Sequence, residues 1–414
     1  MKFILSHPTG NANVRAALKG FNSAGLLKQF HTAIASFPGS FLDRLSNSKV
    51  FDEIKRRNFD PALKSVTYTH PMYEACRIIA TKVGLQQLVK QESGIFSIDS
   101  VYRHLDKTVA KILIKNYPKD INGVYAYEDG ALSSFKAAKN LGLKCYYDLP
   151  IGYWKTSRQL LENEKNKWPD WAVTLTGLQD SAFKLLQKDE ELKLADHIFV
   201  ASTFTANSLK NFEGTLAPVT IIPYGFPTVA TDRTYSSKFK EPLKILFVGG
   251  LSQRKGIAEL FAAVNTFKKK VSLTIVGKKL AVDCEVLNEE LQKHRWIPGL
   301  PHQEILTLMQ QNDVLVFPSL FEGYGLVISE AMSQGTPVIT TDRTAGPDII
   351  KDGENGWLIE AGSATALIAA IENILGNREC LATVGKAAME TAKARTWTNY
   401  GNELTQAILN SINC

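Results

Sequence analysis

The sequence contains no run of about 18 consecutive apolar residues, the length needed to span a bilayer. Its first apolar segment, 1–8, is too short for a signal peptide and is typical of a first β-strand. The five cysteines have no paired spacing, which argues against a disulfide framework and a zinc site. Low-complexity tracts and arginine-rich runs are also missing, so neither a disordered chain nor a nucleic-acid partner is indicated. These absences favour a cytoplasmic protein whose only membrane contact would be peripheral.

The composition is that of a folded protein with more than one core. Of the 414 residues, 44% are hydrophobic and 21% are charged. Because a single hydrophobic core stops growing beyond about 250–300 residues, the length predicts two domains with a cleft between them. The formal net charge of +7 favours either phosphate-bearing substrates or an anionic membrane surface.

Short β-rich runs alternate with longer stretches of helical periodicity along the whole chain. The predicted strands are 2–7, 32–37, 66–70, 124–127, 144–149, 197–201 and 219–224 in the first half, and 245–249, 272–276, 296–297, 314–317, 337–340 and 357–359 in the second. This alternation predicts an α/β fold with two parallel sheets covered by helices. The polar stretch 230–241 is the predicted linker. Ligands of such sheets bind beyond the carboxyl ends of the strands, so the site is expected in the groove between the domains.

Two glutamates, Glu322 and Glu330, lie on either side of a Gly-x-Gly turn in the motif Phe-Glu-Gly-Tyr-Gly-Leu-Val-Ile-Ser-Glu at 321–330. The turn follows a predicted strand and precedes a predicted helix, whose N-terminus favours negative charge such as a diphosphate. The glycines let backbone N–H groups approach a ligand closely. Helical rise would separate the carboxylates by up to about 12 Å, which suits the distance from a sugar to the ribose of its nucleotide. The alternative is a pair of unrelated surface glutamates.

A second motif, Gly-Gly-Leu-Ser-Gln-Arg-Lys-Gly at 249–256, lies between a predicted strand and a predicted helix. Arg254 and Lys255 at such a turn can clamp phosphate oxygens, although a solvated basic turn is the alternative. No Asp-x-Asp motif occurs, which argues against a divalent metal held by paired carboxylates. The two cations would then neutralise a leaving diphosphate in place of a metal.

With both motifs, the chain resembles the fourth family of retaining glycosyltransferases, the group 1 enzymes similar to glycogen synthase and sucrose synthase. Further matches lie at 195–202, 222–225, 312–319 and 330–332. The C-terminal half matches closely and the N-terminal half weakly. This family has the GT-B fold of two facing Rossmann-like domains. The resemblance implies an acceptor-side domain at 1–230, a donor-binding domain at 240–395, and a C-terminal helix at 396–414 that returns to the first domain.

The resemblance also implies a role for each motif residue. Glu322 would contact hydroxyls of the donor sugar, Glu330 the ribose, and the Arg-Lys pair the diphosphate. The implied donor-binding positions are Gly10, Asn11, Arg254, Lys255, Glu322, Gly323, Tyr324, Gly325, Leu326 and Glu330. The implied reaction transfers a hexose-type sugar with retention, without metal or cofactor. Its donor would be a UDP-, GDP- or ADP-sugar, and its acceptor a glycan, a lipid or a small molecule.

Two departures from the family pattern lie in the N-terminal half. The first loop has Gly10 followed by Asn11 where the family often has paired glycines, and we expect these two residues to serve the same donor phosphate. After the strand segment 144–147 the family commonly has a histidine that points into the cleft, whereas this chain has Asp148 at the start of the segment 148–154. We expect either that Asp148 takes over that polar, catalytic role or that the acceptor end has been rebuilt. The alternative is a strand-end aspartate that only caps the next turn.

Other functions stay open at this point. Nucleotide-sugar epimerases and phosphorylases also use two facing Rossmann-like domains. A non-catalytic sugar-nucleotide-binding or scaffolding protein could keep the donor motifs while its acceptor side has decayed. The Arg-Lys turn combined with the glutamate pair favours the transferase.

A basic stripe recurs every four residues, opposite an apolar helix face, at Arg103, Lys107, Lys111, Lys115 and Lys119. Such a helix can lie against anionic lipid headgroups. The alternative is an ordinary solvated face of a helix that packs on the core.

We expect the sugar transfer to proceed in excess EDTA, because Arg254 and Lys255 would supply the positive charge at the leaving diphosphate. Replacing either residue by alanine should lower turnover by about a hundred- to a thousandfold. The double variant should lose less than the product of the two, since both cations serve one developing charge. Release of nucleoside diphosphate is the measurement, and activity that vanishes in EDTA and returns with magnesium or manganese would contradict the mechanism.

Overall fold

A computed structural model describes residues 2–45, 57–115, 120–235, 240–280 and 282–412. In these residues the chain forms two sheets, one in each half. The strands are β1 Phe3–Ser6, β2 Leu27–Thr32, β3 Thr67–Thr69, β4 Gly123–Tyr127, β5 Lys144–Leu149, β6 His197–Val200, β7 Val219–Ile221, β8 Leu243–Val248, β9 Val271–Val276, β10 Arg295–Ile297, β11 Val314–Phe317, β12 Val338–Thr341 and β13 Trp357–Ile359.

The strand order is β3-β2-β1-β4-β5-β6-β7 in the first sheet and β10-β9-β8-β11-β12-β13 in the second. Neighbouring strands pair in parallel in both sheets. Because each sheet puts the first strand of its half near the middle, the chain winds outward in both directions, and helices cover the two faces. The predicted α/β fold with two parallel sheets is confirmed.

Helices lie between the strands along the chain, and the last three follow β13. They are α1 Ala12–Ser23, α2 Phe41–Leu45, α3 Met72–Lys82, α4 Gln86–Val89, α5 Ile98–Lys115, α6 Leu132–Asn140, α7 Trp154–Lys167, α8 Ala182–Leu194, α9 Thr203–Ser208, α10 Ile257–Phe267, α11 Glu285–Gln292, α12 His302–Gln311, α13 Leu326–Ser333, α14 Gly346–Ile349, α15 Ala364–Gly376, α16 Cys380–Ala394 and α17 Trp397–Ile412. Among the described residues, no helix combines the length and the apolar character needed to cross a bilayer.

The second strand lies earlier in the chain than its apolar pattern predicts. The predicted strand at 32–37 is wrong, because β2 ends at Thr32 and pairs with both β1 and β3 upstream of that point. Ala33, Ile34 and Ala35 are buried all the same, in the loop that follows the strand. An apolar loop packed at the carboxyl edge of a sheet therefore has the same sequence pattern as a buried strand.

The amphipathic helix predicted from the basic stripe is α5. Its apolar side is buried at Leu105, Val109 and Leu113, while Lys107, Lys111 and Lys115 are exposed. The guanidinium of Arg103 is half-buried and donates to the Ser100 hydroxyl at 3.3 Å. Lys119 lies outside the described residues, as do residues 236–239 of the predicted linker.

The described part of the linker lies on the second half of the chain. The Arg233 guanidinium donates to the Asn312 carbonyl at 2.8 Å, and the Tyr235 hydroxyl donates to the Gly335 carbonyl at 3.0 Å. A polar segment without apolar periodicity can thus be held by hydrogen bonds from its side chains to backbone carbonyls.

The last helix, α17, packs against α1 on the first sheet. Tyr400, Leu404 and Ile408 are buried in this contact. The two backbones approach closely at two glycines, since a Cβ on Gly20 would lie 2.4 Å from the Gly401 carbonyl oxygen and a Cβ on Gly401 would lie 2.5 Å from the Ala16 carbonyl oxygen. Only glycine leaves room for this crossing.

Gly401→Ala should lower the midpoint of thermal unfolding, because the added methyl group must push α17 away from α1 at a cost of about 1–3 kcal/mol. Gly376→Ala is the matched control, because a Cβ at this last residue of α15 would meet nothing within 4 Å. It should leave the midpoint unchanged or raise it slightly. Equal midpoints for the two variants would show that the close crossing is not required.

Candidate active site

The Arg-Lys turn is a short 3₁₀ segment, Gln253–Lys255, between β8 and α10. The side chain of Ser252 caps it by accepting the Arg254 N–H at 3.3 Å. Gly256 ends the turn with φ +68°, and a Cβ there would lie 2.0 Å from the Pro318 carbonyl oxygen. The turn is therefore packed against the loop that follows β11, and glycine is needed for both its conformation and its close approach.

The loop after β11 brings Glu322 to this turn. The Glu322 carboxylate accepts from Arg254 Nη1 at 2.9 Å and from the Ser319 hydroxyl at 2.8 Å, and it also contacts Lys255 Nζ. Arg254 Nη1 donates further to the Phe321 carbonyl at 2.7 Å. Two motifs that are 67 or 68 residues apart in the chain thus form one buried ionic cluster, in which Glu322 is only 8% exposed. We call Arg254, Lys255 and Glu322 the ionic cluster.

The ionic cluster keeps its charges although it is buried. Burial acts to raise the pKa of Glu322, but Lys255 and Arg254 hold that pKa below its ordinary value. Burial lowers the pKa of Lys255, against the attraction of Glu322. With two cations and one carboxylate, the cluster carries a net positive charge at neutral pH, which suits an anionic ligand.

The Gly-x-Gly turn leads from Glu322 into α13. Gly325 is the N-cap of this helix and has φ +88°. Among the described residues, none accepts a hydrogen bond from the backbone N–H of Tyr324, Gly325 or Leu326. Donors without protein partners at a helix N-terminus are well suited to bind a phosphate or a sugar oxygen.

The same turn is in contact with the first half of the chain. A Cβ on Gly323 would lie 1.8 Å from the Pro150 carbonyl oxygen. The Gly323 carbonyl accepts from the hydroxyls of Ser202 at 2.5 Å and Thr205 at 3.0 Å. The Tyr324 hydroxyl donates to the Tyr224 carbonyl at 3.1 Å. The turn therefore contacts both halves of the chain.

A buried polar network ties the Arg-Lys turn to the first half as well. The amide of Gln253 donates to Glu164 on α7 at 3.2 Å and to Glu259 on α10 at 2.8 Å. Its backbone N–H donates to the Thr174 hydroxyl at 2.9 Å. Trp168 Nε1 donates to Glu259 at 2.6 Å. Burial and the neighbouring Glu259 raise the pKa of Glu164. The residue immediately before Arg254 is thus held from both halves.

Glu330 lies apart from the ionic cluster, on α13. Its carboxylate lies 3.0 Å from Nε2 of His302, at the start of α12. The His302 side chain is largely exposed, and Glu330 is partly exposed. His302 was not predicted from the sequence, since no spacing in the chain relates the two residues. Ser319, which contacts both the Glu322 carboxylate and the Arg254 carbonyl, was only part of a motif match.

The backbone amides of the first loop donate hydrogen bonds within that loop. The backbone N–H groups of Thr9 and Gly10 donate to Nδ1 of His7 at 3.1 and 3.0 Å. Burial, helped by the charge of Arg57, lowers the pKa of His7 to about 3, so its ring is neutral and Nδ1 can accept. Asn11 is exposed at the N-cap of α1. The donor-binding roles of Gly10 and Asn11 stay predictions, and the Gly10 N–H would have to leave His7 to bind a phosphate.

Asp148 is buried at the position where the resemblance places the family's cleft histidine. The side chain is 3% exposed, near the end of β5, and accepts the Tyr125 hydroxyl at 2.7 Å. Burial raises its pKa to about 7, against this hydrogen bond. Burial and the nearby Asp148 charge raise the pKa of Tyr127, Tyr224 and Tyr400. Asp148 therefore lies in a shell of tyrosines, and its catalytic role stays a prediction.

Residues 228–391 match the family model described as glycosyl transferases group 1. Among curated proteins, the chain is similar to glycogen synthase from Mycobacterium tuberculosis, with 27% identity over 184 residues that make up 42% of this chain and 44% of that protein. It is also similar to D-inositol 3-phosphate glycosyltransferase from Corynebacterium aurimucosum, with 31% identity over 110 residues, 27% of this chain and 26% of that protein. Both alignments span less than half of the relative's length. The resemblance to group 1 glycosyltransferases is confirmed for the matched segment.

Solved structures match over the whole chain. Sucrose-phosphate synthase from Thermosynechococcus elongatus has a TM-score of 0.65 and 18% identity, and the match covers 100% of this chain and 99% of that chain. HepE from Anabaena, solved in complex with UDP, has a TM-score of 0.62 and 14% identity over 99% of this chain and 100% of that chain. At these identities the likeness shows the fold alone. The predicted GT-B fold is confirmed.

Asp148→Asn should flatten the pH dependence of stability. The folded chain holds the Asp148 proton up to about pH 7, whereas the unfolded carboxyl has an ordinary pKa of 3.8, so ionisation destabilises the fold as pH rises between these values. The variant should match the parent most closely below the unfolded pKa of 3.8 and exceed it in urea midpoint at pH 8. If Asp148 is catalytic, turnover should also fall by about ten- to a thousandfold. Unchanged turnover with the stability gain would identify a core residue, and an unchanged pH slope would contradict the raised pKa.

Proposed function

We propose that the protein is a retaining glycosyltransferase that moves a hexose-type sugar from a nucleoside-diphosphate sugar to an acceptor hydroxyl. One observation carries this proposal: the net positive ionic cluster lies beside the amides at the N-terminus of α13, which have no partner among the described residues. Cations beside helix-terminal N–H groups form a binding site for a diphosphate.

Ligand binding would redistribute the contacts of the ionic cluster. A diphosphate offers Arg254 and Lys255 more negative charge than the one carboxylate they share, so these side chains would turn to the phosphate oxygens. Glu322 would then accept hydrogen bonds from hydroxyls of the donor sugar, with Ser319 holding it in place. As the bond to the sugar breaks, the developing charge on the diphosphate would be stabilised by cations that are already positioned, without a metal ion.

The nucleoside would lie along α13, toward Glu330. This carboxylate is partly exposed and could accept hydrogen bonds from ribose hydroxyls if His302 yields its place. HepE was solved in complex with UDP, and so was TarM from S. aureus, a second structure of the same fold. A UDP-sugar is therefore the first donor to test for this chain, before GDP- and ADP-sugars.

We also propose a separate binding role for each half of the chain. Residues 1–230 would form the acceptor-side domain and residues 240–395 the donor-binding domain, with the returning helix at 396–414 completing the first. In support, Arg395 Nε donates to the Pro223 carbonyl at 3.0 Å, where the chain crosses back, and α17 then packs on α1. The acceptor hydroxyl, whether of a glycan, a lipid or a small molecule, would enter from the first sheet's side of the groove.

Substitutions of the two motif glutamates should have different consequences. Glu322→Gln should lower turnover by about a hundredfold or more, yet leave the affinity for free UDP unchanged or tighter, because Arg254 and Lys255 lose their competing carboxylate. Glu330→Ala should weaken UDP binding directly. Titration calorimetry with UDP measures the affinities, and release of UDP from UDP-glucose measures turnover.

Glu354→Ala is the matched control for these measurements, because its carboxylate is exposed at the surface, 4.0 Å from the equally exposed Lys351 ammonium, and belongs to neither motif. It should change neither quantity. Equal losses of UDP affinity in the Glu322 and Glu330 variants would refute the assignment. UDP binding without any turnover in the parent protein would favour a non-catalytic sugar-nucleotide-binding protein.

A further inference from the structure

A large part of the apolar surface of the molecule is gathered in one stretch of the first half. Eight exposed large apolar side chains lie between residues 68 and 114, namely Tyr68, Met72, Ile79, Val83, Leu85, Ile95, Ile98 and Ile114. Isolated exposed apolar residues need no explanation, but a concentration of them on neighbouring helices indicates a contact surface.

The exposed apolar residues of α3 form one stripe. Met72, Ile79 and the C-cap residue Val83 follow each other at intervals of seven and four residues, so they lie on the same side of the helix. Their exposed fractions are 58%, 60% and 62%. On α5, Ile114 is 68% exposed and is followed directly by Lys115.

The helices α3 and α5 are neighbours. The rings of Tyr73 on α3 and His104 on α5 stack with centroids 4.2 Å apart. The apolar stripe of α3 and the lysines of α5 therefore belong to one surface. We call Met72, Ile79, Val83, Ile114, Lys107, Lys111 and Lys115 the α3–α5 face.

The exposed charges in this region have one sign. All residues from 72 to 115 are described, and the exposed charged side chains among them are Lys82, Lys90, Lys107, Lys111 and Lys115. The acidic side chains of the same segment are turned inward or engaged. Three are buried, with Glu74 bound to arginines, Asp99 to Lys184, and Asp106 to the first N–H groups of α6. The half-buried Glu92 accepts the backbone N–H of Ser181.

The apolar stripe and the lysines together distinguish between possible binding partners of the α3–α5 face. A second copy of the chain would bring lysines against lysines if the same face paired with itself, which is unfavourable. A soluble polyanion would contact the lysines and leave the α3 stripe in water. An anionic bilayer matches both features, because apolar side chains enter the boundary between headgroups and acyl chains while lysines lie against the anionic headgroups.

We propose that the α3–α5 face docks the protein on an anionic lipid bilayer. The contact is peripheral: the apolar stripe of α3 dips into the interface, and Lys107, Lys111 and Lys115 lie at headgroup level. Bilayer binding does not depend on the sugar transfer proposed above. If that transfer is correct, docking through the acceptor-side half favours an acceptor hydroxyl carried by a membrane lipid.

Co-sedimentation of the full chain with vesicles tests the proposal. The parent should bind vesicles of phosphatidylcholine mixed with phosphatidylglycerol, bind much less to phosphatidylcholine alone, and lose binding as salt rises. The triple variant K107E/K111E/K115E should lose at least about a hundredfold in affinity, since each lysine near the surface contributes about fivefold. The matched control is K268E/K269E/K270E, which makes the same charge change at exposed lysines of the other half. It should bind nearly as the parent does.

A second pair of variants separates a bilayer from a polyanion. I79Q/V83Q should lose about tenfold in binding by removing apolar insertion, whereas L141Q/V282Q, which alters exposed apolar residues elsewhere, should lose little. Thermal unfolding checks that every variant is folded, and UDP binding checks that the donor site is intact. Parent protein that does not sediment, equal binding to neutral vesicles, or full binding by I79Q/V83Q would each overturn the proposal.

Discussion

The carboxylate of Glu322 is held between two cations and a serine hydroxyl in a buried turn, and the surrounding backbone is built around that contact. A buried carboxylate without partners would take up a proton, and a buried lysine without partners would lose one. Here each charge supports the other, so both can persist in this largely buried position. The close approach of the two loops that carry them depends on Gly256, which leaves room for the Pro318 carbonyl. The close approach of these two loops therefore sets both the geometry of the candidate site and the packing around the second sheet.

The two turns that carry the ionic cluster also contact the first half of the molecule. Gln253 bonds to Glu164 and Thr174 of the first half, while Gly323 lies against Pro150. The residue before Arg254 and the residue after Glu322 thus both contact the first half of the chain. A relative movement of the halves would therefore act directly on Arg254 and Glu322, because each is the immediate chain neighbour of a residue that contacts the first half.

The sequence predicted the features that repeat or that form compact motifs. Alternation of short apolar runs was sufficient for twelve of the thirteen strands, and it failed at β2 because the buried loop at Ala33 and Ile34 resembles a strand more than the strand itself does. The resemblance placed Arg254 and Glu322 in one donor site, and their motifs follow the neighbouring strands β8 and β11, but it implied no direct contact between the two side chains. The pairing of His302 with Glu330, the Gln253 network and the burial of Asp148 depend on how distant helices and strands pack, and periodicity carries no information about them.

The crossing of α17 over α1 affects the order in which the molecule can mature during synthesis. The helix that covers α1 leaves the ribosome only after both sheets have been made, and Tyr400, Leu404 and Ile408 complete an apolar layer that α1 began almost four hundred residues earlier. The second sheet needs no such late partner for its central strands. The apolar face of α1 therefore stays uncovered while the second half is being made, and that interval is when chaperones and nascent-chain aggregation would act on this chain.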